Sequence, residues 1–181
     1  MNGNFLGIGM DAATNASVQV DQSQPYGILI TNGEFTAFCD VGHSFCPPQT
    51  PNGSQFAPVH VRVLPGNEGA VKFITSSFWG PASAVAIADG IGTVSFTECH
   101  FDSWDHHLNA NGSAYEHNGS PAVEQIGGTL ILSGNEFRQV GSQLSIADGG
   151  PFTKTIVAEN IIKGPLKIIN DANKLAKVIV A

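Results

Sequence analysis

The chain has 181 residues, a formal net charge of −7 and only 13% charged residues, with 21 glycines and 10 prolines. This acidic balance argues against nucleic acid as a partner, because surfaces that bind nucleic acid need clustered Lys and Arg. No apolar run approaches the roughly 18 residues of a membrane span, so we expect no membrane partner. The composition predicts a single all-β domain over residues 1–181, which we expect to be the distal part of a longer protein.

A repeated segment organises the sequence. Each copy has apolar residues at alternating positions, then a short polar run and one large apolar residue. The copies are GILITNGEF (27–35), GAVKFITSSFW (69–79), GTVSFTECHFDSW (92–104), GTLILSGNEFR (128–138) and KTIVAENIIKG (154–164). The step between the large residues Phe78 and Phe101 is 23 residues. That step is too short for a helical repeat of roughly 33–47 residues and fits one turn of a β-solenoid.

A second strand fills each period. These strands are predicted at VHVRV (59–63), AVAIA (84–88), AVEQI (122–126), QLSI (143–146) and LKII (166–169). The two series predict a solenoid of about six coils, in which the large residues Phe35, Phe78, Phe101, Phe137 and Ile162 stack inside. We also expect side-chain amides of Asn135 and Asn160 to bond along the stack, with Ser76 and Cys99 at the same position. The rival all-β fold is a sandwich or jelly roll.

Two insertions interrupt the regular spacing. Residues 39–58 and 105–121 are rich in Pro, Gly and polar residues, which predicts loops. Both follow a large Phe by four residues, so we expect them to project from one corner, two coils apart, and to lie close together. Cys39 and Cys46 flank part of the first loop and can form a disulfide if the protein is exported.

The segment SFWGPASAVAIADGIGTVSFTECHFDSWD (77–105), with GGTLILSGNEFRQ (127–139) and VAENIIKGP (157–165), resembles the right-handed parallel β-helix proteins of the pectate-lyase-like superfamily. It is most similar to the later coils of a subgroup related to glycoside hydrolase family 55. The resemblance covers roughly residues 69–170. It implies a right-handed parallel β-helix in a carbohydrate-active protein. The DFGAKGDG-type segment with which these families begin is missing from this chain.

Polar residues gather at the corner with the insertions, namely Asp40, His43, Asp102, Asp105, His106, His107, Glu116 and His117. Such a cluster fits an acid–base pair or a metal held by His and carboxylate, and its alternative is two solvated loops. We predict Asp102, Asp105 and His106 as catalytic residues, because they stand where the coil ends. The spacings match no zinc pattern, so we predict no metal ligands, although lyases of this fold imply that Ca²⁺ is possible.

Aromatic and basic residues near the same corner suggest substrate contacts. Trp79, Trp104 and Tyr115 are predicted to stack on sugar rings, with core covering as the alternative for the two tryptophans. Arg138 and Arg62, with His60 on the outward side of VHVRV, are predicted to bind carboxylates of an acidic glycan, and ordinary surface charge is their alternative.

Together these features predict a β-helix that binds a polysaccharide and, as a glycoside hydrolase or polysaccharide lyase, cleaves it. The alternative is a non-catalytic module for glycan binding or surface attachment, including a phage tailspike-type role. We expect a secreted or cell-surface protein, although the first twenty residues lack the basic start and apolar block of a signal peptide.

Overall fold

The described part of the chain consists of β-strands joined by turns and contains no helix. The structure is a computed structural model, and it describes residues 3–6, 16–20, 27–36, 59–80, 84–102, 104–105, 107–108, 115–116, 121–138, 144–148, 154–162, 167–170 and 177–180. The first predicted loop, 39–58, lies entirely outside these ranges, and so does the predicted pairing of Cys39 with Cys46.

Twenty strands occur within the described residues. The first ten are β1 (Gly3–Leu6), β2 (Ala16–Val20), β3 (Ile28–Thr31), β4 (Gly33–Thr36), β5 (Val59–Val63), β6 (Ala70–Ile74), β7 (Ser77–Trp79), β8 (Ala86–Ala88), β9 (Thr93–Thr97) and β10 (His100–Asp102). The other ten are β11 (His107–Leu108), β12 (Tyr115–Glu116), β13 (Val123–Gln125), β14 (Thr129–Ser133), β15 (Glu136–Phe137), β16 (Leu144–Asp148), β17 (Lys154–Ala158), β18 (Ile161–Ile162), β19 (Lys167–Asn170) and β20 (Lys177–Val180).

Eighteen of these strands form three parallel sheets of six strands each. Sheet 1 has the order β1-β4-β7-β10-β15-β18, sheet 2 the order β2-β5-β8-β13-β16-β19, and sheet 3 the order β3-β6-β9-β14-β17-β20. The chain therefore enters sheets 1, 2 and 3 in the same cyclic order throughout. The described strands confirm the all-β prediction. Their parallel pairing within the three sheets does not fit the antiparallel sandwich or jelly roll that was the rival of the solenoid.

Each repeat copy forms two strands, whereas the sequence pattern predicts one strand followed by a polar run. The first half of a copy lies in sheet 3 and its large apolar residue lies in sheet 1. A residue in the left-handed region separates the halves. These residues are Asn32 (φ 51°), Thr75 (φ 48°), Glu98 (φ 53°), Gly134 (φ 65°) and Glu159 (φ 55°). Because a left-handed residue reverses the local course of the chain, it ends one strand and redirects the next.

The predicted inward stack is confirmed by the register of the strands. Phe35, Phe78, Phe101, Phe137 and Ile162 are successive partners across sheet 1. In sheet 3, Phe73, Phe96, Leu132 and Val157 are successive partners in the same way. The rings of Phe101 and Phe137 stack with centroids 4.6 Å apart. Full burial of side chains of this size stabilises a fold by roughly 1.5–3 kcal/mol each.

The turn between sheets 3 and 1 is held by a ladder of small polar side chains. Asn135 Oδ1 accepts a hydrogen bond from the Cys99 N–H at 2.9 Å, and Asn160 Oδ1 accepts one from the Asn135 N–H at 2.9 Å. The Asn135 amide donates to Asn160 Oδ1 at 3.0 Å, which confirms the predicted bonding between the two amides. Ser76 Oγ accepts from the Gly33 N–H at 3.1 Å at the same position.

Glycines mark the turn between sheets 2 and 3. A Cβ on Gly92 would lie 2.1 Å from the carbonyl oxygen of Gly69, and one on Gly128 would lie 2.4 Å from that of Gly92. The backbones therefore approach too closely for any side chain. This close approach explains why four of the five repeat copies open with glycine.

One inward residue overturns a prediction. His60 was expected on the outward side of VHVRV, but its side chain is fully buried. The N–H groups of His60 and Val61 both donate to the carbonyl of Val85 at 3.0 Å, so two residues of β5 face one acceptor. This doubling breaks the strict alternation on which the expectation rested, and the imidazole turns inward.

The second predicted loop, 105–121, contains regular structure that its composition did not indicate. Strands β11 and β12 pair antiparallel, with His107 opposite Glu116 and Leu108 opposite Tyr115. A short hairpin therefore stands between the sheet 1 strand β10 and the sheet 2 strand β13.

Candidate functional site

The outer face of sheet 1 brings acidic, basic and aromatic side chains together on neighbouring strands. Inward burial of Phe78, Phe101 and Phe137 turns their neighbours outward, because side chains alternate along a strand. Together the outward residues form what we call the sheet 1 surface, which consists of Glu34, Ser77, Trp79, His100, Asp102, Glu136 and Arg138.

Three predicted site residues share one row of this surface. Trp79 and Asp102 are register partners on β7 and β10. Arg138 directly follows β15, and its N–H donates to the Phe101 carbonyl at 2.8 Å, which continues the ladder and sets Arg138 beside Asp102. Neighbouring strands lie about 4.8 Å apart. An indole, a carboxylate and a guanidinium therefore follow one another across adjacent strands.

A second row begins two residues earlier. Ser77, His100 and Glu136 are register partners on β7, β10 and β15. Glu136 Oε2 lies 2.6 Å from Arg138 Nη2 and 3.8 Å from His100 Nε2. Glu136 therefore connects the two rows.

The hydrogen bond to Glu136 raises the pKa of Arg138 above its ordinary value, with a further contribution from the negative charge of Asp102. Burial is the second-largest cause and acts in the opposite direction. About 45% of the Arg138 side chain is exposed, so solvent screens much of this ion pair. The pair orients the guanidinium more than it stabilises the fold.

His60 lies directly inside Trp79. Its Nε2 is 2.9 Å from the carbonyl oxygen of Trp79, and because a carbonyl only accepts, Nε2 carries the proton. The imidazole packs against Phe35 and Phe78, with ring centroids 6.0 and 6.1 Å away. Burial lowers the pKa of His60 to about 4, although the bond to Trp79 acts in the opposite direction. The ring is therefore neutral at physiological pH.

Two predicted residues do not reach the sheet 1 surface. Trp104 is only 2% exposed and packs edge-on against Phe137, with centroids 6.4 Å apart. Its ring covers the core, as the alternative interpretation had it, and is not presented for sugar stacking. Asp105 is fully buried at a left-handed backbone position (φ 57°), so it does not join Asp102 at the surface.

The remaining predicted residues lie elsewhere. Arg62 is on β5 in sheet 2, where its register partner is Ile87, so it is not brought together with Arg138. Tyr115 belongs to the hairpin, opposite Leu108. His106 lies outside the described residues, as do Asp40, His43 and His117 from the same predicted cluster.

Metal chemistry finds no support in the described part of the chain. No group of three or more His, Cys, Asp or Glu side chains that could hold a metal ion occurs there. Ca²⁺ takes six to eight oxygen ligands. On the sheet 1 surface, Glu136 is already bonded to Arg138, so the carboxylates present do not fit a Ca²⁺ site.

Among the described residues, no helix is long and apolar enough to cross a membrane.

Comparisons of the chain with protein-family models, with curated proteins and with solved structures found no match. The resemblance of residues 77–105 to the pectate-lyase-like superfamily therefore stays a prediction.

Proposed function

We propose that the protein is a right-handed parallel β-helix of six coils, of the pectate-lyase-like kind, and that its sheet 1 surface binds a polysaccharide. Three parallel sheets entered in one cyclic order support the helix. Crossovers between parallel strands are right-handed in about 98% of cases, which supports the handedness. As a binder of extracellular polysaccharide, the protein would act outside the cell or at its surface.

The row of Trp79, Asp102 and Arg138 is the observation that carries the binding proposal. The strands repeat every ~4.8 Å, which is comparable to the advance of an extended glycan per sugar residue. The partly exposed indole of Trp79 can stack on the apolar face of one sugar ring. The carboxylate and guanidinium on the next strands can then bond the hydroxyl groups of the following sugars.

Binding without cleavage is the function that this geometry supports best. A general acid must hold a proton, and its pKa is raised for that purpose. Glu136 instead accepts a hydrogen bond from Arg138 Nη2 at 2.6 Å and is held in an ion pair. The sheet 1 surface is therefore arranged to hold charge rather than to deliver a proton, as in a glycan-binding or surface-attachment module. A tailspike-type role is one form of such attachment.

Hydrolysis is the second candidate, because Asp102 and Glu136 stand on neighbouring strands two positions apart. Diagonal neighbours of this kind lie about 7–8 Å apart. Carboxyl groups of inverting glycosidases are about 6.5–9.5 Å apart. This separation would leave room for a water molecule, with Asp102 as the partner of Glu136 in place of the buried Asp105.

Equilibrium binding to a panel of neutral and acidic polysaccharides tests the proposal. Trp79→Ala should weaken binding about tenfold or more, as loss of an aromatic anchor does. Arg138→Ala should also weaken it, whereas the matched Arg62→Ala on sheet 2 and Lys72→Ala on sheet 3 should not. Wild-type protein that binds none of the polysaccharides, or Trp79→Ala that binds as wild type does, would overturn the proposal.

An activity assay separates the two candidates. Wild-type protein incubated with each bound polysaccharide is examined for new reducing ends and for the absorbance of unsaturated sugars. The binding-module proposal expects neither signal. Reducing ends that disappear in Asp102→Asn would establish the hydrolase instead, and unsaturated products would establish a lyase.

A further inference from the structure

A histidine, His60, is fully buried beneath the sheet 1 surface. The positions around it are apolar: Val59, Val61, Phe35 and Phe78 are all at most 1% exposed. Burying a polar ring among such groups costs free energy unless the ring is hydrogen-bonded. The hydrogen bond to the Trp79 carbonyl, at 2.9 Å, is one contact that offsets this cost.

Trp79 stands where the framework ends. It is the last residue of β7, and its register partners Thr36 and Asp102 are the last residues of β4 and β10. Beyond this level the chain leaves sheet 1 for sheet 2. The Trp79–Gly80 peptide is therefore at the margin of the ladder: its N–H donates to the Asp102 carbonyl at 3.2 Å, and its carbonyl accepts from the His60 side chain inside.

The imidazole is well suited to that task. Its plane is wedged against two aromatic rings, tilted by 58° to Phe35 and by 45° to Phe78. The ring therefore has little freedom to rotate, and its Nε2–H points in one direction. A flexible donor in the same place would lose more side-chain entropy on forming the bond.

We propose that His60 is a positioning residue for the polysaccharide surface: its Nε2–H, wedged by Phe35 and Phe78, fixes the Trp79 peptide and thereby the angle of the indole. The inference rests on the proposed function for its consequence in binding. The structural claim, that His60 sets the position of Trp79, rests only on contacts within the protein and does not depend on a ligand. His60 touches no glycan and acts only through Trp79.

The first test uses ¹⁹F NMR of protein labelled with 5-fluorotryptophan. The chain has two tryptophans, so two resonances are expected, which Trp79→Phe and Trp104→Phe assign. His60→Leu fills a similar volume without a donor and should shift or broaden the Trp79 resonance. His60→Gln keeps an amide donor at a matching distance and should restore it. The Trp104 resonance should stay unchanged in both.

The second test is affinity for the polysaccharide that wild-type protein binds. His60→Leu should bind about three- to tenfold more weakly, the effect of one hydrogen bond, and His60→Gln should recover most of the loss. Leu130→Val, a buried change in sheet 3, is the control. It should lower stability while leaving both the Trp79 resonance and the affinity as in wild type.

The outcomes separate the positioning role from the function it serves. An unchanged Trp79 resonance in folded His60→Leu overturns the positioning role. Equal disturbance of Trp79 and Trp104, or equal disturbance by Leu130→Val, also overturns it, because that pattern means general loosening. If wild-type protein binds no polysaccharide, the proposed function fails, while the ¹⁹F spectra still decide whether His60 positions Trp79.

Discussion

Sheets 1 and 3 share one core but differ in what they present to solvent. Inside, Phe78 and Phe101 of sheet 1 pack edge-on against Phe96 of sheet 3, with centroids 5.6 and 5.3 Å away. Outside, the described side chains of the middle strands of sheet 3, β9 and β14, are small or aliphatic: Thr93, Ser95, Thr97, Thr129, Ile131 and Ser133. The corresponding strands of sheet 1, β10 and β15, carry His100, Asp102 and Glu136 on their outer face.

The difference follows from where the chain goes next. Sheet 3 strands pass to sheet 1 through two-residue turns, as at Thr75 and Ser76 or Glu98 and Cys99. Sheet 1 strands are followed by the long connections between β4 and β5 and between β10 and β13. Stacking in the core restricts the residue types allowed at every inward position. The outer face of sheet 1 lies beside the long connections, and its residues are free to serve a function.

The largest expected effect tests whether the two sheets form one core. Phe101→Ala in sheet 1 and Phe96→Ala in sheet 3 should each lower the free energy of unfolding by about 3–5 kcal/mol, because both side chains are fully buried. Urea denaturation measures this loss. Ser95→Ala on the outer face of sheet 3 is the control and should change stability by less than about 0.5 kcal/mol. A small loss in one of the Phe variants alone would show that the sheets unfold separately.

The next effect concerns His60, a buried residue of sheet 2 that packs against Phe35 and Phe78 of sheet 1. Its folded pKa is about 4, below the unfolded value of about 6.5. Above pH 6.5 both states are neutral and stability is highest. Between pH 6.5 and 4 only the unfolded state takes up the proton. The free energy of unfolding should therefore fall by up to roughly 3 kcal/mol because of His60.

Urea midpoints of wild type and His60→Gln between pH 7 and pH 4 measure that loss. The stability difference between them should shift in favour of the variant as pH falls, because His60 is the only titratable group in which the two proteins differ. A constant difference across this range would mean that His60 is not buried in its neutral form.

Asn135 joins the two sheets at their common turn and should give a smaller effect. Asn135→Ala removes its bonds to the Cys99 N–H, the Phe96 carbonyl and Asn160. Because buried groups are left unsatisfied, the free energy of unfolding should fall by about 2–3 kcal/mol. Thermal or urea unfolding measures this loss. Ser133→Ala, two residues away on the outer face, serves as the comparison and should be nearly neutral. Equal losses in both variants would contradict the ladder.

The smallest effect is a gain at the same turn. A Cβ on Gly134 would meet its nearest neighbour, the Cγ of Glu98, at 3.6 Å, which is ordinary contact, and asparagine tolerates φ of 65°. Gly134→Asn should therefore stabilise the protein by about 0.4–1 kcal/mol by restricting the unfolded chain. Gly92→Ala should destabilise it, because its Cβ would meet a carbonyl oxygen at 2.1 Å. A loss of stability in Gly134→Asn would mean that the turn does not have this backbone geometry.

Inward positions were predictable because they repeat. Phe78, Phe101 and Phe137 recur after the same polar run, and a solenoid has to stack what recurs. Asn135 and Asn160 were found in the same way. The sequence also indicated Trp79, Asp102 and Arg138, because each lies one residue beyond a stacked Phe and alternation turns it outward.

The rest depended on features that periodicity does not contain. His60 was missed because the shared Val85 carbonyl breaks the alternation of VHVRV, and nothing in those five letters marks the break. Trp104 and Asp105 lie beyond the last regular position of β10, where distance from Phe101 in sequence no longer gives the direction of a side chain. The ion pair of Glu136 with Arg138 was also missed, although two residues separated by one position on a strand share a face.

Hydroxyl-radical footprinting with and without a bound polysaccharide tests the central claim most directly. Trp79 reports on sheet 1, and Leu29, which is 51% exposed, reports on the outer face of sheet 3. If the sheet 1 surface binds the glycan, oxidation of Trp79 should fall on addition of polysaccharide while that of Leu29 stays constant. Protection of Leu29 with Trp79 unchanged would contradict the claim and place the glycan on sheet 3.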